Sequence, residues 1–216
     1  TEAGNTYHGK SVIVASGARR RKLGIPGEDQ YGGKGVAYCS TCDAPLFRGK
    51  KVAVIGGGNA GLEAVQDLFS YASEIFLLEH GDTIRGDAKT FDEIKKNPKL
   101  KEVILNADPL EVSGETLVTG LKVRVHTPGV SANGEAGVHP GGEQDVGEER
   151  VLEVGGIFIE IGSVPNSEMV KDLVQIDEHR QIIINFQHAR TSHPGVFAAG
   201  DVTNDPYKQN NISAGD

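Results

Sequence analysis

Cysteine is nearly absent: the 216 residues hold two, Cys39 and Cys42. That is too few for the disulfide scaffold of a small secreted domain. Positive charge is also in deficit, with 22 Lys and Arg against 30 Asp and Glu and a net charge of −8. With no basic stripe, nucleic acid is not an expected partner. No apolar run approaches the roughly 20 residues that a membrane-spanning helix needs, and no secretory apolar segment opens the chain. The expectation is a soluble, cytoplasmic protein without a membrane partner. Both ends read as cuts: Thr1 leads within a few residues into a strand, and Asp216 directly follows Ile212-Ser213-Ala214-Gly215. A piece of a longer protein is expected.

Glycine, by contrast, is plentiful at 29 residues, and 38% of the chain is hydrophobic, enough to bury a sizeable core. Such a composition fits an α/β protein whose loops pass close to a ligand, although it does not by itself choose that class over turn-rich β structure.

Patterning makes the choice. Ser11–Ala15 reads as a buried strand closed by Ser16-Gly17. The basic run Arg19–Lys22 and then Ile25–Glu28 have linker chemistry. Lys51–Ile55 reads as a buried strand, Gly56–Gly61 as a glycine loop, Leu62–Tyr71 as a helix and Ile75–Glu79 as a second strand. Together they form a complete βαβ unit of roughly 30 residues. Phe91–Asn97 reads as a helix halted near Pro98. Val103–Leu105, Leu110–Val112, Leu117–Val125 and Val151–Val154 read as strands of an antiparallel meander, interrupted by a polar, glycine-rich insertion at Thr127–Glu149. Gly156–Ile161 is another buried strand, Ser163–Asn166 a second linker, and Ile182–Ile184 and Val196–Ala199 further strands.

Gly56, Gly58 and Gly61 make a G-x-G-x-x-G pattern, with Asn59 and Ala60 between the last two. After a strand and before a helix, each glycine has a reason: a tight turn, a close approach to a pyrophosphate, and close packing of helix on strand. The helix N-terminus then offers N–H groups to phosphates. Glu79 ends the next strand about 20 residues on, where a carboxylate accepts hydrogen bonds from adenosine ribose hydroxyls. That favours NADH over NADPH, because His80-Gly81-Asp82 supplies no arginine clamp for a 2′-phosphate. The bland alternative is a glycine-rich turn followed by an ordinary exposed glutamate.

Cys39-Ser40-Thr41-Cys42 is followed at once by Asp43. A C-x-x-C beside a βαβ unit reads as a redox pair, since two intervening residues let a turn or helix start bring the sulfurs together. Asp43 suits a proton donor and acceptor beside it. Two other readings stay open: two inert thiols, or half a zinc site. The latter lacks further cysteines, and the seven histidines show no ligand spacing beyond the loose pair His188/His193. No metal site is expected.

The runs Pro26–Tyr31, Gly35–Cys39 and Cys42–Phe47, leading into Val52–Gly61, resemble the low-molecular-weight thioredoxin reductase family. Within that family the likeness runs toward the flavoprotein subunits of alkyl hydroperoxide reductases. Gly195–Val202 and Tyr207-Lys208-Gln209 are similar to the family's second FAD segment. The resemblance implies a Rossmann-like pyridine-nucleotide domain, a parallel sheet plus an antiparallel meander, inserted into an incomplete FAD-binding domain. The implied bounds are 28–161 for the nucleotide domain, with 1–27 and 162–216 as FAD-domain remnants and linkers.

What the resemblance implies for function is an NAD(P)H- and FAD-dependent disulfide reductase. Electrons would pass from nicotinamide through flavin to Cys39–Cys42, with Cys42 facing the flavin, Cys39 attacking the acceptor and Asp43 handling protons. The two sites would take turns at the flavin by rotation about the linkers. The implied acceptor is a thioredoxin-fold or peroxiredoxin protein disulfide, and the complete protein would be a homodimer. Gly17, Gly200, Asp201 and Gln209 would be flavin contacts. The family's first G-x-G-x-x-G and the helix expected after Asp201 are missing here, and Ala44 stands where the family has glycine. FAD is therefore expected in the complete protein. A non-catalytic NAD(P)H-binding redox module without FAD is the alternative for this stretch, and a zinc-stabilised interaction domain a more distant one.

Overall fold

The computed structural model describes residues 4–126, 147–206, 208 and 214–215. Along the chain run β1 (Val12–Val14), β2 (Ala18–Arg20), β3 (Val36–Ala37), α1 (Ser40–Asp43), β4 (Lys51–Ile55), α2 (Asn59–Leu68), β5 (Glu74–Leu78) and α3 (Ala88–Ile94). After them come β6 (Leu100–Ile104), β7 (Ala107–Gly114), β8 (Val118–His126), β9 (Gly147–Leu152), β10 (Gly156–Ile159), β11 (Ser163–Pro165) and β12 (Val196–Ala198). Two units result. Lys22–Gly162 forms the inner one, and the residues before Lys22 join those from Ser163 onward in the outer one. No helix among the described residues is long and apolar enough to cross a membrane.

The inner unit rests on a parallel sheet of order β3-β10-β4-β5-β6. Successive strand residues point to opposite faces, and this sorts the apolar residues of β4. Val52 and Val54 pack with Leu62, Val65 and Leu68 of α2. Ala53 and Ile55 face the other way, into a core shared with Val112, Leu121, Val123 and Leu152 of the antiparallel meander β7-β8-β9. A parallel sheet covered on both faces needs continuous apolar strands, which is why Val52–Ile55 and all of β10 are buried. Gly156 starts β10 without a side chain because a Cβ there would run into the Phe47 ring.

In the outer unit β1 pairs with β12 in parallel and β2 with β11 antiparallel. Val14, Val170, Val174, Ile182, Val196 and Val202 form its core. Next to the β2–β11 pair, Ser16 Oγ donates to the Asn166 carbonyl (2.7 Å), and Asn166 Nδ2 donates back to the Ser16 carbonyl (2.9 Å).

Several expectations need correction. The Ser11–Ala15 strand is buried only at Val14: Val12 is 55% and Ile13 71% exposed, because β1 pairs only with β12 among the described residues. Ile25–Glu28 is not a free linker. Leu23 and Ile25 pack on the inner core and Glu28 is buried, so the inner unit begins at Lys22 rather than Glu28. Both expected linkers contribute strands, β2 and β11. The helix α2 opens at Asn59, three residues early, because Gly58 is its N-cap. The third helix begins at Ala88 because the Asp87 carboxylate caps it through the Thr90 N–H (2.8 Å).

The segment around Val103 leaves the meander and runs parallel beside β5 as β6. Ile182–Ile184 makes isolated bridges only, since its three N–H groups go to Val202 O, Gln175 O and the side chain of Asn204. Short β3 was not expected. Of the Thr127–Glu149 insertion, 127–146 lies outside the described residues, while Glu148 and Glu149 belong to β9 and pair with Val125 and Arg124.

Candidate functional site

The chain leaves β4 through Gly56, whose φ of 119° suits glycine. A Cβ at Gly56 would collide with the Glu160 carbonyl, and one at Gly61 with the Gly56 carbonyl. A side chain at Gly61 would push α2 off the strand, and one at Gly56 would push away the backbone that follows β10. Gly58, in contrast, faces open space, with nothing within 4 Å of where its Cβ would be. It is the N-cap of α2, so the N–H groups of Asn59, Ala60 and Gly61 that follow have no acceptor within the helix. Asn59 spends its side-chain oxygen on the Asp87 N–H (2.7 Å) and thereby ties the loop before α3 to the start of α2.

Glu79 lies just past β5, 3% exposed. Its Oε2 accepts the Gly57 N–H (2.6 Å), and its Oε1 accepts the Gly81 N–H (3.0 Å) and an Arg85 N–H (2.8 Å). Burial by itself pushes this carboxyl up. The Gly81 N–H, the Arg85 guanidinium and the Gly57 N–H outweigh it and hold the group below the usual carboxylate range. Arg85 is the residue that sequence reasoning missed. It lies three residues beyond the His80-Gly81-Asp82 run, yet Arg85 and Gly86 donate their N–H groups to the Gly57 carbonyl (3.0 and 2.9 Å), folding the loop back onto the glycine turn. The Arg85 side chain stays 72% exposed at the rim.

A second cluster was invisible in the sequence. Asp108 on β7 lies between His80 and His126, bonded to His80 Nδ1 and, at 2.7 Å, to His126 Nε2. Burial raises the Asp108 carboxyl, but the hydrogen bonds from His126 and His80 hold it below its ordinary value of 3.8. A carboxyl depressed in the folded state adds stability above its unfolded pKa and loses it as pH falls through the folded value. Glu79 and Asp108 should therefore make the inner unit progressively less stable below about pH 4. In urea melts across pH 2–6, Glu79→Gln should flatten that slope; an unaltered slope would remove Glu79 from the account.

The cysteine pair follows β3 directly. Cys39 caps the four-residue α1, which carries Ser40, Thr41, Cys42 and Asp43. Cys39 and Cys42 form a disulfide with their Cα atoms 5.4 Å apart. The Cys42 N–H points at Cys39 Sγ (3.3 Å), and the Asp43 N–H donates to the Cys39 carbonyl (3.0 Å). Cys42 is exposed, while Cys39 and Asp43 are half-buried. Ahead of the pair, Tyr38 donates its phenol to buried Glu28 (2.7 Å), and burial followed by this bond raises the phenol pKa. Behind it, Phe47 packs edge-on against Phe158, ring centroids 4.8 Å apart.

The inner unit thus holds Gly56, Gly58, Asn59, Ala60, Gly61 and Glu79 near the start of α2, and Cys39, Cys42 and Asp43 near its other end. The outer unit holds Gly17, Gly200 and Asp201. Gly17 (φ 65°) receives the Asn166 N–H on its carbonyl, and Gly200 (φ 76°) receives the Thr203 hydroxyl (2.8 Å). Asp201 is half-buried beside it. Gln209 lies outside the described residues.

The chain is similar to known proteins. A family model described as pyridine nucleotide-disulphide oxidoreductase matches residues 1–214. One subunit of the alkyl hydroperoxide reductase of Pseudomonas aeruginosa is 40% identical over 216 residues, all of this chain and 38% of that protein. The same subunit in Staphylococcus aureus is also 40% identical, over 99% of this chain and 38% of its own length. Among solved structures, Lactococcus lactis thioredoxin reductase superposes with a TM-score of 0.74 at 32% identity, covering 95% of this chain and 62% of that one. The T. acidophilum thioredoxin reductase gives 0.73 at 36% identity, covering 98% and 64%. The chain therefore spans about two-fifths of the curated relatives it matches. A dinucleotide-type glycine loop, a C-x-x-C disulfide and a family match over nearly every residue agree: the chain belongs to the pyridine nucleotide-disulphide oxidoreductases.

Proposed function

We propose that this chain carries the nicotinamide-nucleotide site and the working disulfide of a flavin-dependent reductase of protein disulfides. The observation that carries this reading is that one helix touches both sites. The helix α2 opens at the glycine loop, and Asp67 in its last turn bonds to the turn between the two cysteines.

The glycine loop suits a dinucleotide in shape. Gly58 leaves room for a pyrophosphate to approach, and the first turn of α2 offers it N–H groups. Glu79 stands at the end of the neighbouring strand, where the adenosine ribose would reach it, and NADH is the favoured form. Family membership implies FAD as well. Gly17, Gly200 and Asp201 are candidate contacts for it, but the outer unit has no phosphate-binding glycine loop among its described residues, so no step is assigned to them.

When bound, the nicotinamide and flavin supply the two electrons that reduce the disulfide. Asp43, next to Cys42 in the chain, would exchange the accompanying protons. The resulting dithiol passes the electron pair to an acceptor of the thioredoxin-fold or peroxiredoxin kind.

Visible absorption of the purified protein before and after anaerobic addition of NADH tests this reading. The expected result is a flavin band that bleaches, with two new thiols per chain from Cys39–Cys42. A colourless protein that binds NADH and leaves its disulfide intact would instead make the chain a nucleotide-binding redox module.

A further inference from the structure

Both residues between the cysteines are held by one side chain outside the redox turn. Ser40 Oγ donates to Asp67 Oδ2 at 2.8 Å, and Thr41 Oγ1 reaches the same oxygen at 3.3 Å. Ser40 is buried, so its hydroxyl needs a partner. The four-residue α1 is far too short to persist by itself. Asp67, in contrast, belongs to a ten-residue helix seated on the sheet through Gly61, Leu62, Ala64, Val65 and Leu68. A turn with little intrinsic stability is thus fastened to one of the better-packed elements of the inner unit.

We infer that Asp67 is a positioning residue for the redox pair: its carboxylate holds Ser40 and Thr41 so that the two sulfurs stay within bonding reach in the dithiol as well as in the disulfide. This rests on reading Cys39–Cys42 as the working disulfide. The reaction that reports on it is exchange with dithiothreitol. Forming the Cys39–Cys42 bond releases two electrons and two protons, and the cyclic disulfide of dithiothreitol takes up both as its own S–S bond opens to the dithiol. The more firmly the turn presents one thiol to the other, the higher their effective concentration and the further the balance lies toward the protein disulfide.

The test equilibrates the chain with mixtures of reduced and oxidised dithiothreitol and counts alkylated cysteines by mass. Asp67→Ala should lower the equilibrium constant for disulfide formation about tenfold, which is about 30 mV toward a more oxidising couple. Asp67→Asn keeps an acceptor oxygen for the two hydroxyls and should stay within about twofold of the parent. The double variant Ser40→Ala/Thr41→Val should reproduce the loss, and adding Asp67→Ala to it should change nothing further. It also reads the same contact should Asp67→Ala fold poorly. An unshifted constant in Asp67→Ala overturns the inference. So does an equal shift in Asp67→Asn, which would assign the effect to charge, and so does additivity with the double variant. The readout needs neither nucleotide nor flavin. A chain whose constants follow this pattern but whose disulfide NADH cannot reduce would sink the reductase reading alone.

Discussion

Exchange of Cys42 for serine should abolish turnover of a protein disulfide by the complete enzyme, by about a thousandfold or more, because a hydroxyl cannot close an S–S bond or carry the electron pair. Binding of the dinucleotide should be almost untouched. The redox turn meets α2 at Asp67, near the far end of the helix from Gly58, and ten residues at 1.5 Å rise separate the two sites by about 15 Å. The variant also reads the division of labour between the sulfurs. If Cys39 is the attacking thiol, Cys42→Ser should trap an acceptor as a mixed disulfide that persists on a non-reducing gel, since the resolving thiol is gone. Cys39→Ser should trap none. The reverse pattern would exchange the two roles, and turnover surviving in either variant would remove the pair from the reaction.

The second large effect concerns the choice of nicotinamide nucleotide. The Glu79 carboxylate neutralises Arg85 at 2.8 Å, and under the proposed function it would also receive ribose hydroxyls. A 2′-phosphate brought near it meets a fixed anion and a cation already engaged. At a separation of about 5 Å and an effective dielectric near 20, one unit charge is worth about 3 kcal/mol. Screening at the exposed rim reduces that figure. Glu79→Ala should therefore move the ratio of NADPH to NADH affinities tenfold to a hundredfold toward NADPH, measured by calorimetry, as the mostly exposed Arg85 becomes free to pair with the phosphate. Much of the gain should vanish in Glu79→Ala/Arg85→Ala. The variant should also lose stability, since the Gly57 and Gly81 N–H groups would be left without their acceptor, at about 1–3 kcal/mol each where buried. An unchanged affinity ratio would show that Glu79 does not set the preference.

The parts of this site that were legible in the sequence are those whose chemistry is local. The glycine spacing, the strand before it and the cysteine spacing each act over a few residues, and the structure has them in the expected elements. Boundaries shifted where a cap outranked apolar periodicity: Gly58 started α2 early and Asp87 started α3 early. Burial was misjudged where it depended on partners elsewhere in the chain. Val12 and Ile13 read as core yet lie exposed, and Glu28 reads as linker yet is buried under the N–H groups of Leu23 and Gly24 and the Tyr38 hydroxyl.

By itself the amino-acid sequence determined the βαβ unit, the order of glycine loop, carboxylate and cysteine pair, and the family, because periodicity and short spacings are written along the chain. Tertiary structure alone decided which polar groups meet. Glu79 is fastened to Gly57 and Arg85, Asp108 is set between His80 and His126, and Asp67 holds the turn between the cysteines. The separations involved run from 6 residues for Glu79–Arg85 to 28 for His80–Asp108. No local pattern marks such pairs: a carboxylate signals its charge in the sequence, but only the packed sheet and its loops choose the donors that surround it.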